Sequence, residues 1–148
     1  MQRQASRNRI AMLARATTLF AALASTSAFA DDLTVALHGI RVQTGKVRIA
    51  LVDSQVAWDG KAQPVKGEAV APTGETMTFS FKNLKPGTYA VMVTHDENGN
   101  GKLDTNLIGM PIEGFGFSNN PQVMRKPTWE EARFDLGETA AAIDINLH

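Results

Sequence analysis

Between His95 and Asp104 the chain reads His95-Asp96-Glu97-Asn98-Gly99-Asn100-Gly101-Lys102-Leu103-Asp104, which sets oxygen-bearing side chains at alternate positions around two glycines. A loop that wraps a hard cation is built this way. Asp96, Asn98 and Asn100 take the first, third and fifth places of a D-x-[DN]-x-[DN]-G loop, Gly101 takes the sharp turn, Lys102 offers its backbone carbonyl, and Asp104 falls at the ninth place. Calcium is the cation such a set of oxygens suits. The twelfth place, where an EF-hand supplies a bidentate Glu, is Leu107, and no helical period flanks the loop, so this is not an EF-hand. A site here needs a further ligand, for which Glu113 is the nearest candidate, or it is weak. The other reading of the same residues is a plain glycine-rich turn, because Asn98-Gly99 and Asn100-Gly101 are both strong turn signals.

Other chemistry has less support. There is no cysteine in the chain, no G-x-S-x-G elbow, no H-E-x-x-H zinc helix and no phosphate-binding glycine loop, so a non-enzymatic protein is expected. Ser118, His95 and Asp96 can be assembled on paper into a hydrolytic triad, but nothing in their spacing requires it. His95 continues the inward parity of Tyr89, Val91 and Val93 and is expected at the rim of a core. His38 falls on the outward side of its strand and His148 is the last residue, a dispersal that argues against zinc or copper. Phe115 and Phe117 stand at i and i+2 among glycines, so on an extended chain both rings face one side. They form either a stacking platform for a sugar or peptide or, as the commoner use of such rings, a cap on one end of the core.

The N-terminus concerns location. Arg3, Arg7, Arg9 and Arg15 form a basic leader without an acid, an apolar run from Ala16 to Ala24 follows, and Ala28-Phe29-Ala30 is an A-x-A cleavage site before Asp31-Asp32. Residues 1–30 therefore read as a signal peptide and 31–148 as one exported domain, periplasmic or secreted. The apolar run is well short of the roughly 20 residues a spanning helix needs. Removing the leader and its four arginines leaves 118 residues with 11 basic against 15 acidic, a net charge of about −4 with His neutral. A mildly acidic chain without a basic cluster argues against nucleic acid as a partner and against anionic membranes, and no later run is apolar enough to span a bilayer.

The elements that must hold the loop have a period of two. Leu33-Val35-Leu37, Val47-Ile49-Leu51, Met77-Phe79-Phe81, Tyr89-Val91-Val93, Ala132-Phe134-Leu136 and Ile143-Ile145-Leu147 alternate with mostly polar residues, giving six half-buried strands. A seventh is expected over Gly67 to Ala71. Turns fall at Gln43-Thr44-Gly45, Pro72-Thr73-Gly74, Lys85-Pro86-Gly87 and Leu136-Gly137-Glu138. The economical architecture is an all-β antiparallel Greek-key sandwich of about seven strands, with one turn of helix over Trp129 to Arg133. The core is expected to hold Val47, Ile49, Leu51, Phe79, Phe81, Tyr89, Val91, Val93, Phe134, Ile143 and Ile145. Two irregular stretches interrupt the pattern: Ser54 to Gly67, and a long loop insertion at 96–127. Leu107, Ile108, Met110, Ile112, Phe115, Phe117 and Val123 make the second too apolar for a solvated tail, and it is expected to fold back onto the sandwich.

Three blocks together carry a resemblance. Asn83-Leu84-Lys85-Pro86-Gly87-Thr88-Tyr89-Ala90-Val91, His95 through Asn106, and Gly109-Met110-Pro111-Ile112-Glu113-Gly114-Phe115-Gly116-Phe117-Ser118-Asn119-Asn120 closely resemble the bacterial exported family called domain of unknown function 2141. Pro127-Thr128-Trp129-Glu130-Glu131-Ala132-Arg133-Phe134 resembles its closing motif. The resemblance runs from about Gly45 to Leu147 and implies a protein of the Gram-negative envelope, with no catalytic residues to carry over. The Leu-x-Pro-Gly-x-Tyr element also resembles transthyretin-like and carboxypeptidase-regulatory-like β-sandwich modules, where it ends a turn into a core strand, an analogy that bears on fold alone. The expected role is an exported binding or structural module with a calcium-stabilised loop and an envelope protein or glycan as partner. The competing expectation is a carbohydrate- or peptide-binding protein, or a hydrolase, using the surface from His95 to Asn120.

Overall fold

The computed structural model describes residues 31–148, so the leader expected at 1–30 lies outside the described residues. Eight strands form two sheets: β1 (Asp31–His38), β2 (Lys46–Val52), β3 (Lys66–Val70), β4 (Thr76–Leu84), β5 (Gly87–Asp96), β6 (Gly114–Phe117), β7 (Phe134–Leu136) and β8 (Ala141–Asn146). One sheet has the order β4-β1-β8; the other has the order β3-β2-β5-β6, with β7 also paired to β5. Alternation decides the burial of every central strand. Leu33, Val35 and Leu37 face Val47, Ile49, Leu51, Val91 and Val93 across the sandwich, together with Phe79, Phe81 and Ile145, all almost fully buried. Each such side chain removed from water contributes about 1.5–3 kcal/mol, which makes this layer the main source of stability. Phe134 and Ile143 are partly buried at its margin.

Three features differ from the expectation. β1 and β8 run parallel, with Val35 opposite Ile143 and Leu37 opposite Ile145, so the smaller sheet is mixed rather than antiparallel. β6 is a strand inside the stretch read as loop. It pairs with β5 through Met92 opposite Phe117 and His95 opposite Gly114, and alternating glycines conceal its hydrophobic period. The excursion after β2 contains a single helical turn, α1 (Gln55–Trp58), capped by the Ser54 side chain. The turn of helix before β7 is present as α2 (Trp129–Ala132), closed by a capping box between Thr128 and Glu131.

One edge of the sandwich is stapled by the end of the chain. The Leu147 N–H donates to the His38 carbonyl in the smaller sheet, and the His148 N–H donates to the Phe115 carbonyl in the larger one. This brings β8 against β6 so closely that a Cβ on Gly116 would lie 2.7 Å from Ile145 Cγ2 and 2.9 Å from the Asn146 carbonyl oxygen. Only glycine fits there.

The larger sheet also buries part of its outer face, which is where the site lies. Val52 and Ala90 sit under Trp58, Ala57 and Ala132, with Met92, Phe117 and Trp129 packed against this second, smaller cluster. At the other end of the same face are Thr94, Phe115 and Asp96, and over them run the segments 97–112 and 120–127.

Candidate cation loop and the groove beside it

Asp96 is the last residue of β5 and its side chain is buried on the outer face. Its Oδ2 accepts from the Gly101 N–H at 2.9 Å and from the Arg48 guanidinium at 3.3 Å. Burial pushes the Asp96 carboxyl upward, but the Gly101 and Gly99 N–H groups and the Arg48 charge outweigh it, so the net shift is downward and the ionised form is favoured. Oδ1 of the same carboxylate is buried and has no partner among the described residues. An ionised oxygen left in that state is costly, and it is the kind of defect a bound ion repairs.

The loop turns through Gly99 and Gly101, both at positive φ (77° and 86°), where glycine alone is unstrained. Asn98 Oδ1 accepts from the Asn100 N–H at 3.0 Å, and Asn100 Oδ1 accepts from the Lys102 N–H at 2.8 Å. The two amide NH2 groups both point at Asp104: Asn98 Nδ2 lies 2.6 Å from Oδ2 and Asn100 Nδ2 lies 2.9 Å from Oδ1. Asn98, Asn100 and Asp104 thus converge, and Asp96 anchors the same loop through Gly101.

Glu113, the candidate for a further ligand, is engaged with the backbone of the loop. Its side chain is buried, Oε1 accepts from the Glu97 N–H at 2.9 Å and the Asn98 N–H at 3.4 Å, and Oε2 accepts from the Asp104 N–H at 2.9 Å. One carboxylate therefore ties both ends of the loop to the start of β6. Glu97 does the same from the other side, accepting from the Gly114 N–H and the Arg41 guanidinium, and Thr44 Oγ1 donates to the Glu97 carbonyl. Among the described residues, no three Asp, Glu, His or Cys side chains come together in a way that could hold a metal ion. The donor set offered is instead mixed: the carboxylates of Asp96 and Asp104, the amide oxygens of Asn98 and Asn100, and the Lys102 carbonyl. All are hard oxygens, which fits calcium and not the metals that want sulfur or imidazole.

The paper triad is not assembled. Ser118 is fully buried, its Oγ accepting from the Val91 N–H at 2.9 Å and donating to the Ala132 carbonyl at 2.6 Å. Ser118 stands beside Val91, and His95 lies four residues further along β5, roughly 13 Å away at strand rise. His95 is buried, as its parity predicts, and Nε2 lies 2.8 Å from the Thr44 carbonyl oxygen. A carbonyl only accepts, so Nε2 carries a proton, and the buried Nδ1 has no partner among the described residues. His38 is half exposed and paired with Asp144 at 2.9 Å.

Phe115 and Phe117 do not cap the core. Their rings, 6.0 Å apart, lie half-buried on the outer face of the larger sheet. With Met92 and Thr94 they floor an open groove of about 800 Å³. One wall comes from the cation loop and its continuation, including Leu103, Met110 and Pro111; the other comes from residues 120–127. The segment 96–127 lies against the larger sheet, and at its tips Leu107, Ile108, Ile112 and Met124 are exposed. The alternation of Met92 and Thr94 with the core positions of β5 was the signal for this groove, but it becomes legible only once β6 is known to lie beside it.

A family model described as "Uncharacterized protein conserved in bacteria (DUF2141)" matches residues 35–144. Comparison with curated proteins and with solved structures gives no match.

Proposed function

The chain belongs to this bacterial family, and we propose that it is an exported, non-catalytic β-sandwich binding module whose Asp96–Asp104 loop is stabilised by calcium. The basic leader, short apolar run and Ala28-Phe29-Ala30 site support export. The binding role is favoured by the groove against which the loop is built, and a role without chemistry by Ser118, whose hydroxyl is committed to backbone partners.

One observation carries the calcium reading: the buried Oδ1 of Asp96, ionised and without a partner among the described residues, at the head of a loop in which Asn98 and Asn100 gather around the Asp104 carboxylate. With two carboxylates and no bidentate Glu at the twelfth place, affinity is modest, on the order of 10⁻⁴–10⁻³ M, as in extracellular modules. At about 1 mM free calcium and a dissociation constant of roughly 10⁻⁴ M, binding adds about 1.4 kcal/mol to stability. The test is thermal unfolding of the protein from Asp31 onward, in chelator and in several millimolar calcium. A rise of several degrees in wild type, absent in the Asp96→Asn, Asp104→Asn double variant, is expected. Coincident wild-type curves would overturn the calcium reading, and intact-mass analysis finding residues 1–30 retained in exported material would overturn the leader assignment.

A further inference from the structure

We propose that the groove on the outer face of the larger sheet binds a monoanionic amphiphile, an alkyl carboxylate whose chain lies over Met92, Phe115 and Phe117 and whose carboxylate meets Lys126. This deepens the binding half of the reading above and rests on it; it does not depend on calcium.

Size and lining argue for a small apolar ligand. About 800 Å³ is within the range of small-molecule sites, and the floor and walls are mostly carbon and thioether sulfur, with methionines 92, 110 and 124 able to re-pack around a flexible chain. The outer face of a sheet normally carries polar residues where it meets water. Here it carries two phenylalanines and a methionine, half-buried under walls that leave the space between them open.

Polar groups around the groove are mostly committed elsewhere, which argues against a sugar or a peptide. The Asn120 amide donates to the Asp144 carbonyl and accepts from the Asn146 N–H, and Gln122 donates to the Asn120 carbonyl. Arg125 forms two bonds to Glu131, at 2.7 and 2.9 Å, which neutralise it. A glycan, which needs several converging donors and acceptors, would find few.

The side chains of Thr94, Thr105 and His148 also line the groove, but of its two basic residues Arg125 and Lys126 it is Lys126 that makes no bond to a carboxylate among the described residues. Among the described residues no carboxylate side chain lines the groove, whereas Lys126 does, with its Nζ 4.8 Å from the centre of the Trp58 ring and donating to the Trp58 carbonyl at 2.5 Å. An ammonium has three donors, so two remain for an anion. Burial lowers the Lys126 pKa in spite of the opposing charge of Asp59, so a carboxylate arriving from the groove would add counter-charge where burial disfavours the ammonium. The head group therefore belongs at the Trp58 end and the chain runs toward Thr94 and the cation loop.

The test is titration of the protein from Asp31 onward, without added calcium, with octanoate, decanoate and dodecanoate below their micelle concentrations, read by tryptophan fluorescence. Trp58 touches Phe117 at 5.7 Å between ring centres and Trp129 at 6.4 Å, so both tryptophans of the chain report on this end of the groove. Each added methylene should tighten binding about fourfold, so each step of two carbons about sixteenfold. Lys126→Gln should weaken dodecanoate roughly tenfold while leaving dodecanol unchanged, because a charged hydrogen bond is lost and apolar burial is not. Met124→Glu, at an exposed rim position, should weaken the carboxylates without altering thermal unfolding. Affinity independent of chain length overturns the proposal. If dodecyltrimethylammonium binds as tightly as dodecanoate, the ligand class falls and the groove remains a binding site. If none of these amphiphiles changes the fluorescence, the binding reading falls with it. A dimer by sedimentation that Met124→Glu dissociates would show that a second copy covers the groove instead.

Discussion

Replacing Glu113 tests how the loop is held. Its buried carboxylate accepts two N–H groups at 2.9 Å, from Glu97 and Asp104, and a third from Asn98 at 3.4 Å. Hydrogen bonds to a charged partner contribute about 1.5–3 kcal/mol each. The low end suits this site, since the loop that carries the freed N–H groups is largely exposed and can take water. Taking that low end for the two short bonds and discounting the long one, Glu113→Ala should cost about 3 kcal/mol. Glu113→Gln keeps one acceptor oxygen but turns an NH2 toward an N–H donor, so it should recover no more than half of that loss. A domain of this size has about 5–15 kcal/mol in hand and stays folded, so urea unfolding can measure both variants. Amide exchange at Glu97, Asn98 and Asp104 should accelerate in step, with the strands of the core protected as before. Changes below about 0.5 kcal/mol in both variants, with exchange at those three amides unaltered, would refute the assignment of Glu113 as the tie between the loop and β6.

Gly116→Ala should cost about 1–3 kcal/mol and lower the melting temperature by several degrees, because its Cβ would meet Ile145 Cγ2 at 2.7 Å; a neutral effect would mean that β6 and β8 are not held together there. Phe81→Ala should cost about 3–5 kcal/mol by urea unfolding, since the ring is buried between the sheets; a loss below about 1 kcal/mol would contradict its place in the core. Arg125 and the Thr128 N–H hold the Glu131 carboxyl at about 2, below its ordinary 4.5, so as pH falls the unfolded chain takes up this proton first. The stability from Glu131 is complete above pH 4.5 and is lost as pH falls toward 2, so Glu131→Gln should flatten the acid limb of a stability curve in that window and leave the neutral region parallel to wild type.

The sandwich was readable because its strands alternate: β2, β4 and β5 show their parity in Val47-Ile49-Leu51, Phe79-Phe81 and Tyr89-Val91-Val93, and these residues form the core. β6 was not readable, since Gly114 and Gly116 occupy its inward positions and remove the apolar signal that alternation relies on. The parallel pairing of β1 with β8 is a long-range choice; either direction would bury Ile145, and local pattern carries no information about which neighbour a strand selects. The loop residues Asp96, Asn98, Asn100 and Asp104 could be named from spacing, because Asx turns around glycine are local. The role of Glu113 could not, because it depends on β6 returning beside β5. The groove was hidden for the same reason: Phe115 and Phe117 share a side in any extended chain, but which face of which sheet they join is decided by that pairing.

The cation claim is tested most directly by a crystal structure of the protein grown in several millimolar calcium. An ion is expected within about 2.3–2.6 Å of Asp96 Oδ1, with Asp104 turned away from the Asn98 and Asn100 amide NH2 groups and onto the metal. Density showing Asp104 still held by those two amides, with no ion against Asp96 Oδ1, would contradict it and leave the glycines of this loop serving turn geometry alone.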